Sequence, residues 1–306
     1  MSISSPSEAA PPPASDTEEP PPPDGWPGGA PVPDLAALRA SLDGIDDEIH
    51  ALLIRRAGVV EQVARAGKRG ALRPGREASI IRRLLSQHAG TLPPQALFRV
   101  WRELLAATTA MQGGLAVAVC ETDPGAGFTQ AAREHFGALT PLRAYSRPAQ
   151  ALAEVSAGTA SVAVLPLPSE TESWWTALLH RDEPRIHVVA RLPFWASPRP
   201  EGAPAVQALV VSPIPPDASG RDRSLLGLEL DQDVSRARLS AALATAGLAI
   251  NGVVLRRDPG APVAHALVEV DGYLEDDDPR LIGLGAVLRP PVVMGGYAVP
   301  LEGGAA

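Results

Sequence analysis

Cysteine and lysine are nearly absent from this sequence, and aromatic side chains are scarce. Cys120 is the single cysteine, which excludes an internal disulfide and is typical of a reducing compartment, so we expect a cytoplasmic protein. Aromatic residues make up only 4% of the 306 residues, so a core must be built mainly from Leu, Val and Ala. Lys68 is the only lysine among 27 basic residues, which indicates either a need for a compact ammonium there or a codon bias toward arginine.

Signatures of several other protein classes are also missing. No apolar run approaches the ~18 residues of a membrane-spanning helix, and the first residues have neither the basic nor the apolar region of a secretory signal. The net charge of -8 argues against a nucleic-acid partner. The six histidines show no HxxxH or HExxH spacing, and one cysteine cannot anchor a zinc site. We therefore predict no membrane or nucleic-acid partner, no metal and no cofactor.

Charge and proline content divide the first third of the chain. Residues 1–33 hold eleven prolines and five acids but no base, which predicts a disordered tail, because such a segment cannot bury enough apolar surface to offset its chain entropy. Residues 34–112 hold twelve bases against eight acids, so this segment is positive in an acidic protein. Its positive charge favours a small anionic ligand.

The positive segment has the periodicity of a helical bundle. Its first part repeats apolar residues at alternating steps of three and four, which only a helix keeps on one face; they are Leu35, Leu38, Leu42, Ile45, Ile49 and Leu52. We predict three helices, over 34–67 with an N-cap at Asp34, over 74–90 and over 93–113. The first would be about 50 Å long, more than a small domain can cover, so much of its apolar face should meet a partner chain.

The remaining sequence alternates short apolar strands with helices. Residues 113–220 have the pattern of an α/β layer domain. Residues 221–306 have the order strand, helix, strand, strand, helix, strand, which is that of a ferredoxin-like α+β domain. The prediction is a multidomain chain with a tail (1–33), an all-α bundle (34–112), an α/β domain (113–220) and an α+β domain (221–306).

A series of short motifs runs through 34–112 in order: Leu35-Ala-Ala-Leu-Arg39, Ile45-Asp46-Asp47, Leu52-Leu53-Ile-Arg-Arg56, Arg76-Glu77, and Trp101-Arg-Glu-Leu-Leu followed by Thr108 and Gln112. This series resembles the all-helical (AroQ-class) chorismate mutases, in particular the N-terminal domain of bifunctional chorismate mutase–prephenate dehydratases. The resemblance implies an isomerase that converts chorismate to prephenate by an intramolecular Claisen rearrangement, in phenylalanine and tyrosine biosynthesis. It also implies an intertwined homodimer.

The same resemblance implies which residues bind the substrate, which is a dianion. Guanidinium groups pair bidentately with carboxylates, and in this family that role corresponds to Arg39 and Arg56. Arg39 would reach across from the other subunit of the dimer. Arg76 would help to hold the charge network, and Thr108 would contact a carboxylate.

Three further residues correspond to the family's catalytic groups. Glu77 would accept a hydrogen bond from the ring hydroxyl of the substrate. Gln112 and Lys68 would donate to the ether oxygen, on which negative charge grows as the bond breaks. The family places its lysine eleven residues after the arginine, whereas Lys68 follows Arg56 by twelve, with Gly67 at the expected position.

Residues 115–211 resemble a shortened prephenate dehydratase domain. The segment from Pro124 to Gly137 is similar to that family's first loop and helix, whose N-terminus can receive an anion. However, Val206-Gln207-Ala208 stands where the family has Thr-Arg-Phe. We therefore expect this domain to be catalytically silent.

Residues 225–301 resemble the ACT regulatory domain that binds phenylalanine in such proteins. The matching text is Ala249-Ile250-Asn251 and Met294-Gly-Gly-Tyr297. Two further motifs are replaced, by Arg236-Ala237-Arg238-Leu239 and by Arg256-Arg257-Asp258-Pro259. We expect a dimer scaffold here rather than a receptor for an amino acid.

Two alternatives to a monofunctional mutase follow from the same sequence. One is the full bifunctional enzyme, which would also form phenylpyruvate from prephenate. The other is a pseudoenzyme whose helical domain only dimerises or tunes a partner, and Gly67 at the lysine position is its best support.

Overall fold

The computed structural model describes residues 34–66, 72–123, 125, 127–180, 183–195 and 206–302. The predicted tail, Gly67 and Lys68 lie outside these residues. The described chain falls into two units, one ending at Leu53 and the other beginning at Ile54.

The first helix, α1, spans Leu35–Arg65 and therefore crosses the division between the units. Asp34 is its N-cap, because the Asp34 carboxylate accepts a hydrogen bond from the backbone N–H of Ala36 over 3.1 Å. None of its residues is buried. Leu42 and Leu52 on the predicted apolar face are each 60% exposed.

Two shorter helices follow, α2 over Pro74–Ser86 and α3 over Pro94–Ala110. Each begins on a proline, whose missing N–H is not needed in a first helical turn. Their apolar sides pack together around Ile81 and Leu105. Phe194 and Ala298, which belong to the strand-rich part of the chain, complete this small core. The N-terminal part is therefore helical, as predicted, and an α/β part follows it.

The α/β part contains nine strands and three α-helices within the described residues. In chain order these are β1 (Val117–Cys120), α4 (Phe128–Phe136), β2 (Leu142–Tyr145), α5 (Pro148–Ser156), β3 (Val162–Pro166), β4 (His187–Leu192), β5 (Ala208–Ser212), β6 (Asp222–Asp231), α6 (Arg236–Thr245), β7 (Ile250–Arg256), β8 (Val263–Asp271) and β9 (Val292–Ala298). Trp174–Leu179 forms a 3-10 helix. A second one, Pro279–Leu281, stands where the sequence predicted an α-helix before the last strand.

All nine strands form one sheet, in the order β2-β1-β3-β5-β4-β9-β6-β8-β7. The last four strands in the chain are neighbours in it and pair antiparallel. They join the first five through β4 and β9, which pair in parallel at Val188 and Gly295. A side chain at Gly295 would bring its Cβ to 2.2 Å from the Val188 carbonyl oxygen, and the φ of Gly295 is +115°, so this junction requires glycine.

No helix in the described part of the chain combines the length and apolar character needed to cross a bilayer. Among those same residues, His, Cys, Asp and Glu form no group of three that could hold a metal ion.

Candidate active site

Arg56, in the second half of α1, meets a polar face of α3. Its Nη1 donates to the Thr108 hydroxyl over 3.3 Å, and its guanidinium carbon lies 5.6 Å from the centre of the Trp101 ring. Gln112, four residues beyond Thr108, donates from Nε2 to the Thr108 carbonyl oxygen over 3.1 Å. Trp101, Thr108 and Gln112 are seven and four residues apart, which is the spacing of one helical face. Thr108 thus contacts the Arg56 cation through its hydroxyl and the Gln112 amide, in the turn after α3, through its carbonyl oxygen.

Glu77, in the first turn of α2, forms an ion pair with Arg102 of α3. Arg102 Nη1 lies 3.1 Å from Glu77 Oε2, and the two side chains are 3% and 14% exposed, respectively. The Thr109 side chain acts on the same carboxylate and lowers its pKa. The Arg102 guanidinium carbon lies 5.4 Å from the ring centre of Phe98 and 5.1 Å from that of Phe194. The carboxylate is therefore held by a cation that is itself fixed between two aromatic rings.

Burial is the largest influence on the pKa of each member of this ion pair. It raises the pKa of Glu77 above the ordinary value, against the lowering effect of Arg102, and the nearby Asp217 carboxylate raises it further. Burial also lowers the pKa of Arg102 to about 10, against the raising effect of Glu77. Neither charge has much water around it, so each depends on the other for compensation.

The Arg56–Thr108 contact and the Glu77–Arg102 ion pair lie on adjoining faces of α3. Arg102 and Thr109 follow Trp101 and Thr108 by one residue each, which is a rotation of about 100° around the helix axis. The face with Thr108 meets α1, and the face with Thr109 meets α2. Helix α3 thus supplies the common wall of the candidate site.

Within the described residues, the structure does not bring Arg76 or Arg39 into contact with Arg56, Thr108 and Gln112. Arg76 is exposed in the first turn of α2, and its backbone N–H donates to the Asp217 carboxylate over 3.1 Å. Arg39 is exposed on α1, in the unit that ends at Leu53. Lys68 lies outside the described residues. One chain therefore groups Arg56, Thr108 and Gln112, with Glu77 on the adjoining face.

Sequence reasoning missed three residues at this site: Arg102, Thr109 and Asp217. Arg102 and Thr109 are seven residues apart, so helical spacing could have identified them as one buried polar face. Asp217 had no such signal, since it contacts Gly75 across 142 positions of the chain.

The N-terminus of α4 corresponds to the helix end that can receive an anion in the family that this part resembles, and a carboxylate of the chain itself occupies it. Glu121 Oε1 accepts from the backbone N–H groups of Gly127 (3.0 Å) and Phe128 (3.3 Å), and Oε2 accepts from that of Thr129 (2.7 Å). Burial alone would raise the pKa of Glu121, but the hydrogen bonds at Thr129, Phe128 and Gly127 lower it below the ordinary value. The three amides available to an anion are already engaged.

Residues 38–113 match the family model of chorismate mutase type II. The bifunctional chorismate mutase/prephenate dehydratase of Pseudomonas aeruginosa is 32% identical over 150 residues, which cover 45% of this chain and 40% of that protein. The protein of the same description from Neisseria gonorrhoeae is 32% identical over 136 residues, which cover 44% of this chain and 37% of the relative. A structure of prephenate dehydratase from Arthrobacter aurescens, in complex with L-Phe, aligns with 60% of this chain and 90% of its own at 14% identity and a TM-score of 0.45. The chain thus matches about 40% of the length of these curated relatives.

Proposed function

We propose that this chain, whose residues 38–113 form a chorismate mutase type II domain, is an isomerase that converts chorismate to prephenate by an intramolecular Claisen rearrangement. The observation that carries the proposal is the contact of Arg56 with Thr108. It places a guanidinium, a hydroxyl and the Gln112 amide together inside the matched segment.

This reaction needs no nucleophile and no proton transfer, so the protein has to supply geometry and charge. Arg56, together with Arg39 from the second subunit of the proposed homodimer, pairs with the substrate carboxylates, which holds the ether side chain over the ring in its reactive conformer. Arg76 helps to hold the charge network. Glu77 accepts a hydrogen bond from the ring hydroxyl. The Gln112 amide exchanges its bond to the Thr108 carbonyl for one to the ether oxygen, where it stabilises the growing negative charge. Lys68 is the proposed second donor to that oxygen.

The second subunit of the proposed homodimer covers α1. The exposed apolar residues of this helix include Leu35, Leu42 and Ile49, which repeat every seven residues, as in helices that pair along a seam. Leu35 is 58% exposed and Ile49 is 49% exposed, an unusual state for large apolar side chains at regular spacing. Arg39 lies on the same helix and would enter the partner's site.

The α/β part is proposed to be silent as a dehydratase. Glu121 fills the helix N-terminus that a substrate anion would need. Gln207, in the segment that replaces Thr-Arg-Phe, accepts a hydrogen bond from Arg191 over 2.9 Å. Both groups are engaged in contacts within the chain, which supports a structural role for this part.

The last four strands are proposed to form an ACT-like scaffold. Their order in the sheet, β9-β6-β8-β7, with α6 between β6 and β7, supports the ferredoxin-like arrangement. At the altered motif, Arg256 donates to Asp258 and Arg257 donates to the carbonyl oxygens of Gln232 and Val234. These arginines are used in local contacts, which favours a scaffold over an amino-acid receptor.

The test is the loss of chorismate in the presence of the purified full chain, compared with its spontaneous rearrangement. We expect clear acceleration, loss of the acceleration in Arg56→Ala, and no loss in Arg55→Ala, which removes an exposed arginine from the preceding position of α1. If the wild-type chain gives no acceleration, the pseudoenzyme is the interpretation that remains. Formation of phenylpyruvate from prephenate would instead establish the bifunctional enzyme, and we expect none.

A further inference from the structure

The first turn of α2 is capped by a residue from the α/β part of the chain. The Asp217 carboxylate, in the segment between β5 and β6, accepts hydrogen bonds from the backbone N–H groups of Gly75 (3.0 Å) and Arg76 (3.1 Å). It also accepts one from Arg73 Nε over 3.1 Å. Two N–H groups that a helix leaves without an internal partner are thereby satisfied by a single side chain.

The backbones at this cap are in direct contact. A Cβ at position 75 would lie 2.0 Å from the Asp217 carbonyl oxygen, so only glycine permits the approach. Residues 76 and 77, two of the proposed active-site residues, follow Gly75 directly. Their place is therefore set by the strand-rich part as well as by their own helix.

The cation that holds Glu77 also depends on the α/β part. Phe194 follows the end of β4, is 5% exposed, and places its ring centre 5.1 Å from the guanidinium carbon of Arg102. The guanidinium thus has one aromatic neighbour from α3, Phe98, and one from the sheet. Such cation–π contacts are strongest where water is excluded, as it is around Arg102.

The second half of α2 is attached to the same region through Arg82. Its guanidinium donates to the Ser219 hydroxyl over 2.8 Å and to the carbonyl oxygens of Arg221 (3.0 Å) and Val299 (2.7 Å). Both ends of α2 are therefore anchored to the α/β part, and the helix has little freedom to turn about its axis.

We infer that Asp217 and Phe194 are positioning residues for the mutase site, so that the α/β part completes the geometry of the helical site. Asp217 fixes the first turn of α2, and Phe194 fixes Arg102, which in turn orients the Glu77 carboxylate. The inference rests on the proposed function. On this inference the α/β part contributes to the mutase reaction without having a catalytic activity itself.

The expected effect falls on kcat more than on KM. Arg39 and Arg56, which bind the substrate carboxylates, lie on α1 and not at the Asp217 cap, so affinity changes little. A displaced Glu77 leaves the ring hydroxyl without its acceptor, and less of the bound substrate is held in the reactive conformer. Errors of about 1 Å in such contacts can lower rates by up to about a hundredfold.

The experiment compares full-length variants in the chorismate assay, with thermal unfolding recorded for each. Asp217→Ala should lower kcat by about tenfold while KM changes by less than about threefold. Asp217→Asn keeps an oxygen that can accept from the helix N-terminus, so it should recover kcat to within about threefold of wild type. Phe194→Leu keeps apolar volume but removes the aromatic face, and should lower kcat in the same way as Asp217→Ala.

Two matched controls separate positioning from general loss of stability. Asp278→Ala removes an aspartate N-cap from the 3-10 helix Pro279–Leu281, and Phe136→Leu removes a phenylalanine that is equally buried, at 5% exposed, in another core cluster. Both should keep the wild-type kcat. Should Asp217→Ala fail to fold, Asp217→Asn and Phe194→Leu decide the matter.

The outcomes distinguish this inference from the proposed function. An inactive wild-type chain overturns both. If the wild-type chain is active but Asp217→Ala and Phe194→Leu fold and keep kcat within about twofold, the inference is overturned and the proposed function stands. Equal losses of kcat in the two control variants also overturn it, because they would show a response to destabilisation anywhere in the α/β part.

Discussion

Arg102 donates from Nη1 to Glu77 Oε2 over 3.1 Å, and only 3% of the Arg102 side chain is exposed. The pair joins the middle of α3 to the first turn of α2. Removal of one partner from a buried ion pair leaves a charge without compensation, and its cost far exceeds that of an exposed pair. This single contact should therefore matter for stability as well as for the site.

Replacement of Arg102 by methionine should lower the free energy of unfolding by about 3–5 kcal/mol, because Glu77 is left as an uncompensated buried carboxylate. Urea denaturation of the full chain measures this. Arg65→Met serves as the control, since Arg65 and Glu61 form a pair in which the side chains are 78% and 52% exposed. It should change the free energy by less than about 1 kcal/mol, and an equally small effect of Arg102→Met would contradict the prediction.

The dependence of activity on pH should report the ionisation of Glu77. Because burial raises the pKa of Glu77, the acid limb of kcat/KM should lie at higher pH than a glutamate with the ordinary value of 4.5 would give. Asp217 contributes to that raised pKa, whereas Arg102 and Thr109 lower it. Asp217→Asn should therefore move the acid limb of the profile to lower pH. A limb that stays in place in this variant would show that another group controls it.

Glu121 should stabilise the fold in a manner that depends on pH. Its pKa is lower in the folded chain than the ordinary value, so the stabilisation is present above the unfolded pKa and disappears as pH falls through the folded pKa. At neutral pH, Glu121→Gln should lower the free energy of unfolding by about 1 kcal/mol, the usual cost of losing an N-cap. Glu134→Gln, at an exposed position of α4, the helix that Glu121 caps, is the control and should leave the stability nearly unchanged. In strong acid the wild type and Glu121→Gln should become equally stable; a constant difference at all pH values would refute the account.

Gln112→Ala should lower kcat by about a hundredfold with little change in KM, since an amide donor to the breaking ether bond acts mainly in the transition state. Steady-state kinetics with chorismate separate the two parameters. Gln130→Ala, an exposed glutamine on α4, should leave both unchanged. If KM rises and kcat stays constant, Gln112 binds the substrate and has no special role in the transition state.

Mixing two inactive variants should restore activity if Arg39 acts across the proposed dimer. A site with Arg56 from one subunit and Arg39 from the other is intact in a heterodimer of Arg39→Ala and Arg56→Ala chains. Random exchange of subunits should then give about a quarter of wild-type activity. Addition of Leu42→Asp to both variants should prevent this by disrupting the apolar face of α1. Recovery in the mixture without Leu42→Asp, and none with it, is the expected pair of results.

The helical periodicity of the sequence predicted α1, its N-cap and the starts of α2 and α3, because each signal is local. The α/β part was less completely predicted. Strand β2, Leu142–Tyr145, has four residues and two of them are exposed, so it has little apolar pattern to recognise. Helix α5, Pro148–Ser156, is short and also went unrecognised.

The candidate site, too, was predictable from the sequence only where its residues are close together in the chain. Thr108 and Gln112 are four residues apart, and their common face follows from helical geometry. The pairing of Glu77 with Arg102 depends on how two helices pack, and the Asp217 cap depends on the whole path of the chain between them. A sequence pattern contains neither relation, since both arise only when the tertiary structure forms.

The junction between β4 and β9 bears on how this chain can be shortened. The predicted boundary at 220/221 divides the sequence, but hydrogen bonds of the sheet cross it at Val188 and Gly295. Deletion of everything after residue 220 would turn β4 into an edge strand with unpaired backbone groups, the kind of surface that seeds aggregation between molecules. The last strands therefore protect that edge by pairing with it, and this role does not depend on any ligand.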